Sequence, residues 1–152
     1  MRLALFEPDI PQNLGAFIRL SACLGAPLDI IEPCGFPLDD RRMRRAAMDY
    51  YDRADLTRHA SWAAFQRDRP TGRLILLTTQ GPARFPELAF RPDDILLLGR
   101  ESAGVPPHVH EAADVGLRIP LRPALRSLNV ALAATMVLSE ALRQTSGFDI
   151  LS

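Results

Sequence analysis

Asp94-Ile95-Leu96-Leu97-Leu98-Gly99-Arg100-Glu101-Ser102-Ala103-Gly104-Val105-Pro106 is the stretch on which the reading of this chain turns. Ile95 to Leu98 form a short, uninterrupted apolar run stopped by a glycine, the pattern of a strand covered on both faces and running into a tight loop. Gly99 and Gly104 allow the backbone a positive φ or a close approach to a ligand. Arg100 and Glu101 bring charge, and Pro106 keeps the strand from resuming. In an open α/β sheet, ligands bind beyond the carboxyl ends of the strands, where such a loop lies.

Outward from that loop, three other stretches end apolar runs in the same manner: Pro11 to Arg19, Leu74 to Gly81 and Ile119 to Asn129. Arg2 to Phe6 reads as a first strand. Pro11 opens a helix with Phe17, Ile18, Leu20, Cys23 and Leu24 on its apolar side and Gly25 as its stop, and Pro27 to Ile31 reads as a second strand. A strand, a helix and a strand in that order form a βαβ unit and predict a parallel sheet. Asp39 or Asp40 caps a predicted helix running through Arg41 to Tyr51. A short strand over Ala54 to His59, a helix over Trp62 to Arg67 capped by Ser61, and strands over Arg73 to Thr78 and Val115 to Ile119 follow. The expected fold is α/β, a mostly parallel sheet flanked by helices. The alternation leaves no room for a linker, so residues 1–152 are expected to form one domain.

The last helix, with Ser127 as its expected cap, carries Val130 to Leu138, a run apolar nearly all round. Such a helix has to be covered on every side, and in a chain of 152 residues a second subunit is the expected cover. Arg41 and Arg45 share one face of their helix. That face is either a solvated surface answering Asp39, Asp40 and Asp49 or a phosphate-contacting patch beside Tyr50 and Tyr51.

Composition narrows the function classes. The net charge is zero, with 18 basic residues that are all arginine, which argues against a tail that grips nucleic acid by bulk charge and leaves a local patch open. No lysine follows Gly104, so the Gly99 to Gly104 loop is no phosphate-gripping P-loop, and no GxGxxG follows the first strand. Ser102 lies in Gly-x-x-Ser-x-Gly rather than the spacing of a nucleophile elbow. His108 and His110 read as surface residues and no metal site is expected. Cys23 and Cys34 show no paired spacing, the amino terminus does not read as a signal peptide, and no apolar run approaches the ~20 residues of a membrane span. A reduced, cytoplasmic protein is expected. Arg126-Ser127-Leu128-Asn129 places polar groups at a helix start, either as ordinary capping or as donors to a bound ligand.

Taken together, Pro11-x-Asn13-x-Gly15-x-x-x-Arg19, Leu98-Gly99-Arg100-Glu101-Ser102-x-Gly104-Val105-Pro106, and Ile119-Pro120 followed by Arg126-Ser127-Leu128-Asn129 resemble the three motifs of the SPOUT-class RNA ribose methyltransferases. The short length and Asp39-Asp40-Arg41-Arg42-Met43-Arg44-Arg45-Ala46 resemble the branch that methylates the 2′-oxygen of the wobble nucleotide of tRNA, position 34, on cytidine or modified uridine. The resemblance covers nearly the whole chain. It implies a carboxyl-terminal trefoil knot, a rare exception to unknotted topology, a homodimer, and S-adenosylmethionine held at Leu77, Gly99, Ile119 and Ser127. It implies Arg19 as the catalytic residue and Asn13, Glu101 and Asn129 as residues that shape the site; with tRNA as the expected partner, Arg41 and Arg45 of the candidate phosphate-contacting patch are the expected RNA-binding residues. Bland alternatives stand beside these: Asn13 as a helix cap, and Glu101 as the ion-pair partner of Arg19 or Arg100. One position departs from the pattern, Ser139 standing where that branch carries tyrosine. On that residue rests the alternative of a catalytically altered SPOUT protein that binds or methylates a different RNA.

Overall fold

The period-two alternation of the strands sets the layers. In a computed structural model that describes residues 1–151, Leu3 and Leu5 of β1 (Arg2–Phe6) join one buried cluster while Ala4 and Phe6 join another. Strand β4 (Leu74–Leu77) divides in the same way, Ile75 from Leu74 and Leu76, and so does β6 (Ile95–Leu98), Leu96 and Leu98 from Ile95 and Leu97. The first cluster is roofed by α1 (Pro11–Leu24), α2 (Asp40–Ala47) and α5 (Val130–Gln144) through Phe17, Ile18, Met43 and Val137. The second is roofed by α3 (Trp62–Asp68) and α4 (Pro107–Glu111) through Phe65 and Val109. The remaining strands are β2 (Leu28–Ile31), β3 (Leu56–His59), β5 (Ala83–Arg84) and β7 (Val115–Arg118).

All seven strands are parallel, in the order β3-β2-β1-β6-β4-β7-β5. β6 enters between β1 and β4, with Leu98 level with Leu5 on one side and Leu77 on the other. Its four side chains are each at most 1% exposed. Burying four aliphatic side chains is worth roughly 6–12 kcal/mol, which offsets the roughly 4–8 kcal/mol of backbone entropy lost by fixing four residues.

Two buried carboxylates tie these strands to one another. Asp29 accepts from Arg2 Nε at 2.6 Å and lies 2.8 Å from His59 Nε2, joining β1, β2 and β3. Asp94, wholly buried, accepts from both Arg73 Nε and Nη2 at 2.8 Å and from the Arg91 backbone N–H at 2.7 Å. A buried carboxylate persists only when paired and hydrogen-bonded in this way.

Several expectations need correction. The predicted helix over Arg41 to Tyr51 stops at Ala47, because Met48 turns to φ 53°, and a 3-10 turn over Met48–Arg53 follows; Asp39 is the cap, its Oδ1 accepting from the Arg42 N–H at 2.8 Å. Ser127 does not cap α5: Asn129 does, its Oδ1 accepting from Ala131 N–H at 2.9 Å and Leu132 N–H at 3.2 Å. The inner face of α5 (Ala134, Val137, Leu138, Ala141) is fully buried, so only the outward Leu132 and Met136, 61% and 43% exposed, remain uncovered. The two-residue strand β5 and the helix α4 had no sequence signal strong enough to be drawn.

Replacing Asp94 with Ala leaves Arg73 without its carboxylate at the entry to β6 and is expected to cost about 3 kcal/mol. Urea denaturation followed by circular dichroism measures this as a lower midpoint at unchanged slope.

Candidate active site

Because every strand points the same way, the carboxyl ends of β4, β6 and β7 meet on one edge of the sheet, and there they floor a cavity of about 710 Å³. Leu77, Gly99 and Ile119 come from the three strand ends, and Ser127, Asn129 and Val130 close the far wall from the start of α5. Asn13 enters from α1 and Glu101 from the β6–α4 loop.

The Gly99 to Gly104 loop is folded back on itself: the Arg100 N–H donates to Gly104 O and the Gly104 N–H to Arg100 O, both at 2.9 Å. A Cβ at Gly99 would lie 2.6 Å from the Gly104 carbonyl carbon, and Gly104 itself sits at φ 65°. Both positions therefore demand glycine, one for space and one for conformation.

A chain of hydrogen bonds then ties this loop to two helices. Glu101 Oε2 accepts from the Asp9 backbone N–H and Oε1 from Asn13 Nδ2, each at 3.0 Å. Asn13 Oδ1 accepts from Asn129 Nδ2 at 3.0 Å, and Asn129 Oδ1 caps α5. Every polar atom named is used, so the three side chains hold one another in a single orientation. Asn13 lies within α1 rather than capping it, the N-cap being Ile10, and Glu101 makes no ion pair with Arg19 or Arg100; Arg100 instead meets Glu7 at 3.4 Å. Both bland readings of these residues are thereby displaced.

Asp9 had no signal beyond following a strand end, yet it completes the loop. Its Oδ1 accepts from the Glu101 N–H at 3.0 Å and its Oδ2 from the Ser102 hydroxyl. Hydrogen bonding with the Glu101 side chain first, and with Ser102 and the loop backbone after it, brings the Asp9 carboxyl down to about 2. Glu101 moves the other way, pushed up by burial and then by the neighbouring Asp9 carboxyl.

Arg19 is absent from the cavity wall. It lies six positions after Asn13, and at ~100° per residue the two side chains leave α1 about 120° apart. Its guanidinium carbon instead lies 4.4 Å from the centre of the Tyr50 ring. Arg41 and Arg45 are exposed on α2 and away from the cavity wall, without ion pairs among the described residues, whereas Arg42 and Arg44 pair with Asp39 and Asp52. Ser139 is half-buried on α5, beyond the part of that helix that lines the cavity. His110, read from sequence as surface, is exposed but borders the cavity. Among the described residues no group of three or more His, Cys, Asp or Glu could hold a metal ion, and no helix is long and apolar enough to cross a membrane.

Residues 1–139 match the family described as the SpoU rRNA methylase family. The chain belongs to the SpoU methylase family. A relative from Beijerinckia indica, the tRNA (cytidine(34)-2'-O)-methyltransferase, is 60% identical over 144 residues, 93% of this chain and 90% of its own length. A solved structure concerned with 2-OH methylation of C/U34 on tRNA is 41% identical, covers 96% of both chains and superposes with a TM-score of 0.89. The SpoU methyltransferase AviRb from Streptomyces viridochromogenes, solved in complex with AdoMet, is 26% identical with a TM-score of 0.82, matching 95% of this chain and 60% of its own.

The depressed Asp9 carboxyl gives a pH test. Its folded value of about 2 lies below the ordinary 3.8, so its charge contributes stability at pH above ~4 that is lost as pH falls through about 2. Asp9→Asn is therefore expected to melt below the wild type at pH 6, with the difference closing as thermal unfolding is repeated from pH 4 toward pH 2.

Proposed function

We propose that this SpoU family member transfers a methyl group to the ribose 2′-oxygen of nucleotide 34 of tRNA, cytidine or modified uridine, with S-adenosylmethionine as donor. The observation that carries the reading is the 60% identity, over nearly the whole of both chains, to a relative named for that reaction. The family description names rRNA, but identity at this level weighs more than a description spanning the whole family.

The residues lining the cavity fit the donor. Leu77, Leu98, Ile119 and Leu128 give the cavity aliphatic surface, and the backbone N–H groups of Ile119, Ser127 and Leu128 donate to no acceptor among the described residues. Unused backbone donors between aliphatic side chains suit a flat heteroaromatic ring such as adenine. Leu77, Gly99, Ile119 and Ser127 are the residues proposed to hold it. When bound, S-adenosylmethionine supplies an electrophilic methyl group, leaving the protein to align the ribose oxygen and ease the loss of its proton.

Arg19 is the proposed catalytic residue. A guanidinium is a poor base, so its role is to orient the 2′-hydroxyl or the adjacent phosphate and to favour the developing alkoxide electrostatically. Asn13, Glu101 and Asn129 keep the site in shape through the hydrogen-bond chain, and Arg41 and Arg45 offer fixed charges to the anticodon region. Residues 1–152 are proposed to act as one cytoplasmic domain, its carboxyl-terminal part threaded as a trefoil knot.

The proposed assembly is a homodimer. Ile10, Leu125, Leu128, Leu132 and Met136 are between 39% and 65% exposed, an apolar surface a second copy would cover. The dimer also gives Arg19 a destination, since it leaves α1 away from its own chain's cavity and is free to reach the partner's.

Arg19→Ala is expected to slow methylation of tRNA by about 100-fold while calorimetry finds S-adenosylmethionine bound as before. A rate within a few fold of wild type removes Arg19 from the mechanism. Nucleoside analysis of tRNA from a deletion strain is expected to lack the 2′-O-methyl group at position 34; its persistence overturns the substrate. Light scattering at micromolar concentration is expected to give twice the chain mass of 16.8 kDa, and a monomer contradicts the dimer.

A further inference from the structure

Arg19 is exposed, and among the described residues it makes neither an ion pair nor a hydrogen bond through its side chain. The nearby Arg44 shows what structural anchoring looks like in this protein: its guanidinium carbon lies 4.6 Å from the Tyr51 ring centre and its Nη1 donates to both oxygens of Asp52 at 2.6 Å. Arg2, Arg58 and Arg73 are likewise held by carboxylates. Arg19 has the ring alone, with Tyr50 beneath it at 4.4 Å. The difference is chemical. A carboxylate fixes a guanidinium by neutralising it and occupying its N–H donors, whereas an aromatic face fixes it and leaves charge and donors available.

The backbone is shaped to bring that ring into place. Gly15, one helical turn before Arg19 and on the same face of α1, lets α2 lie flush: a Cβ there would sit 2.6 Å from Ala46 O. Directly after α2, Met48 adopts φ 53° and ψ −133°, a conformation costly for any residue but glycine. Its side chain is 57% exposed, so burial does not offset the strain. The turn it makes sends the 3-10 segment Met48–Arg53 back toward α1 and sets Tyr50, half-buried, under Arg19.

We infer that Tyr50 is a positioning residue for methyl transfer, holding the Arg19 guanidinium by its aromatic face so that its full charge and all its N–H groups remain free for the RNA. This rests on the catalytic role proposed for Arg19. An exposed stack of this kind shifts the population of one side-chain orientation about two- to fivefold, which sets the size of the effect.

The test compares steady-state tRNA methylation by the full-length protein and its Tyr50→Phe, Tyr50→Leu, Arg19→Ala and Arg19→Ala/Tyr50→Leu variants, with S-adenosylmethionine affinity measured alongside. Tyr50→Phe keeps the ring and is expected to stay within twofold of wild-type kcat. Tyr50→Leu keeps bulk but not the ring, and is expected to lose about fivefold in kcat at unchanged S-adenosylmethionine affinity. The double variant is expected to be no slower than Arg19→Ala, because the ring acts only through the guanidinium. If Tyr50→Leu does not fold, Tyr50→Met makes the same comparison. A Tyr50→Leu rate equal to wild type, a Tyr50→Phe loss as large as that of Tyr50→Leu, or losses that multiply in the double variant each overturn the inference. An unimpaired Arg19→Ala overturns the role of Arg19 itself, while a slow Arg19→Ala beside an unimpaired Tyr50→Leu overturns only that of Tyr50.

Discussion

The double pairing of β6 is the constraint from which the rest of the molecule follows. A strand bonded to β1 on one side and β4 on the other is fixed along both edges, and its side chains are buried on both faces. Its carboxyl end therefore has little freedom, and the Gly99 to Gly104 loop leaves from a rigid base. A site that aligns two reactants depends on such rigidity, because misplacing a group by about 1 Å costs rate steeply. Strand pairing, hydrophobic burial and loop position are here a single mechanical fact.

On that base the protein places polarity sparingly. Glu101 is drawn out of water beside a second carboxyl, which pushes its proton affinity up, and the arrangement is tolerable because each oxygen has a donor. Asn13 and Asn129 carry the order onward without introducing charge. The arginine at the proposed reacting centre is treated oppositely, steadied by an aromatic ring and spared a counter-ion. Hydrogen-bonded carboxyl and amide groups hold the walls, and the charge of Arg19 is left without a counter-ion among the described residues.

Legibility in the sequence followed range. Ile95 to Leu98 and the βαβ pattern at the amino terminus are readable because apolar runs and glycine stops are local, and they place the four motif-bearing stretches at strand ends and helix starts. The end of α2 was not readable: nothing in Ala46-Ala47-Met48-Asp49 announces that Met48 will take a positive φ, a choice imposed by the packing of α2 on α1. Ser127 and Asn129, two positions apart, are equal candidates for the cap of α5 until one finds a partner, and Asn13, which breaks the tie, lies 116 residues away. Asp9 carries no local signal for the same reason, since its partners Glu101 and Ser102 come more than 90 residues later.

Those long spans bear on how the protein comes into being. The cavity takes one wall from residues near the amino terminus and another from the start of α5, joined by bonds between residues 88 and 116 positions apart. During translation the early strands and helices emerge with their core-facing side chains ready to collapse, but no binding pocket exists until the final helix has cleared the ribosome. A chain cut short before α5 would lack that wall of the cavity, the last bond of the Glu101-Asn13-Asn129 chain and the helix that covers one face of the sheet.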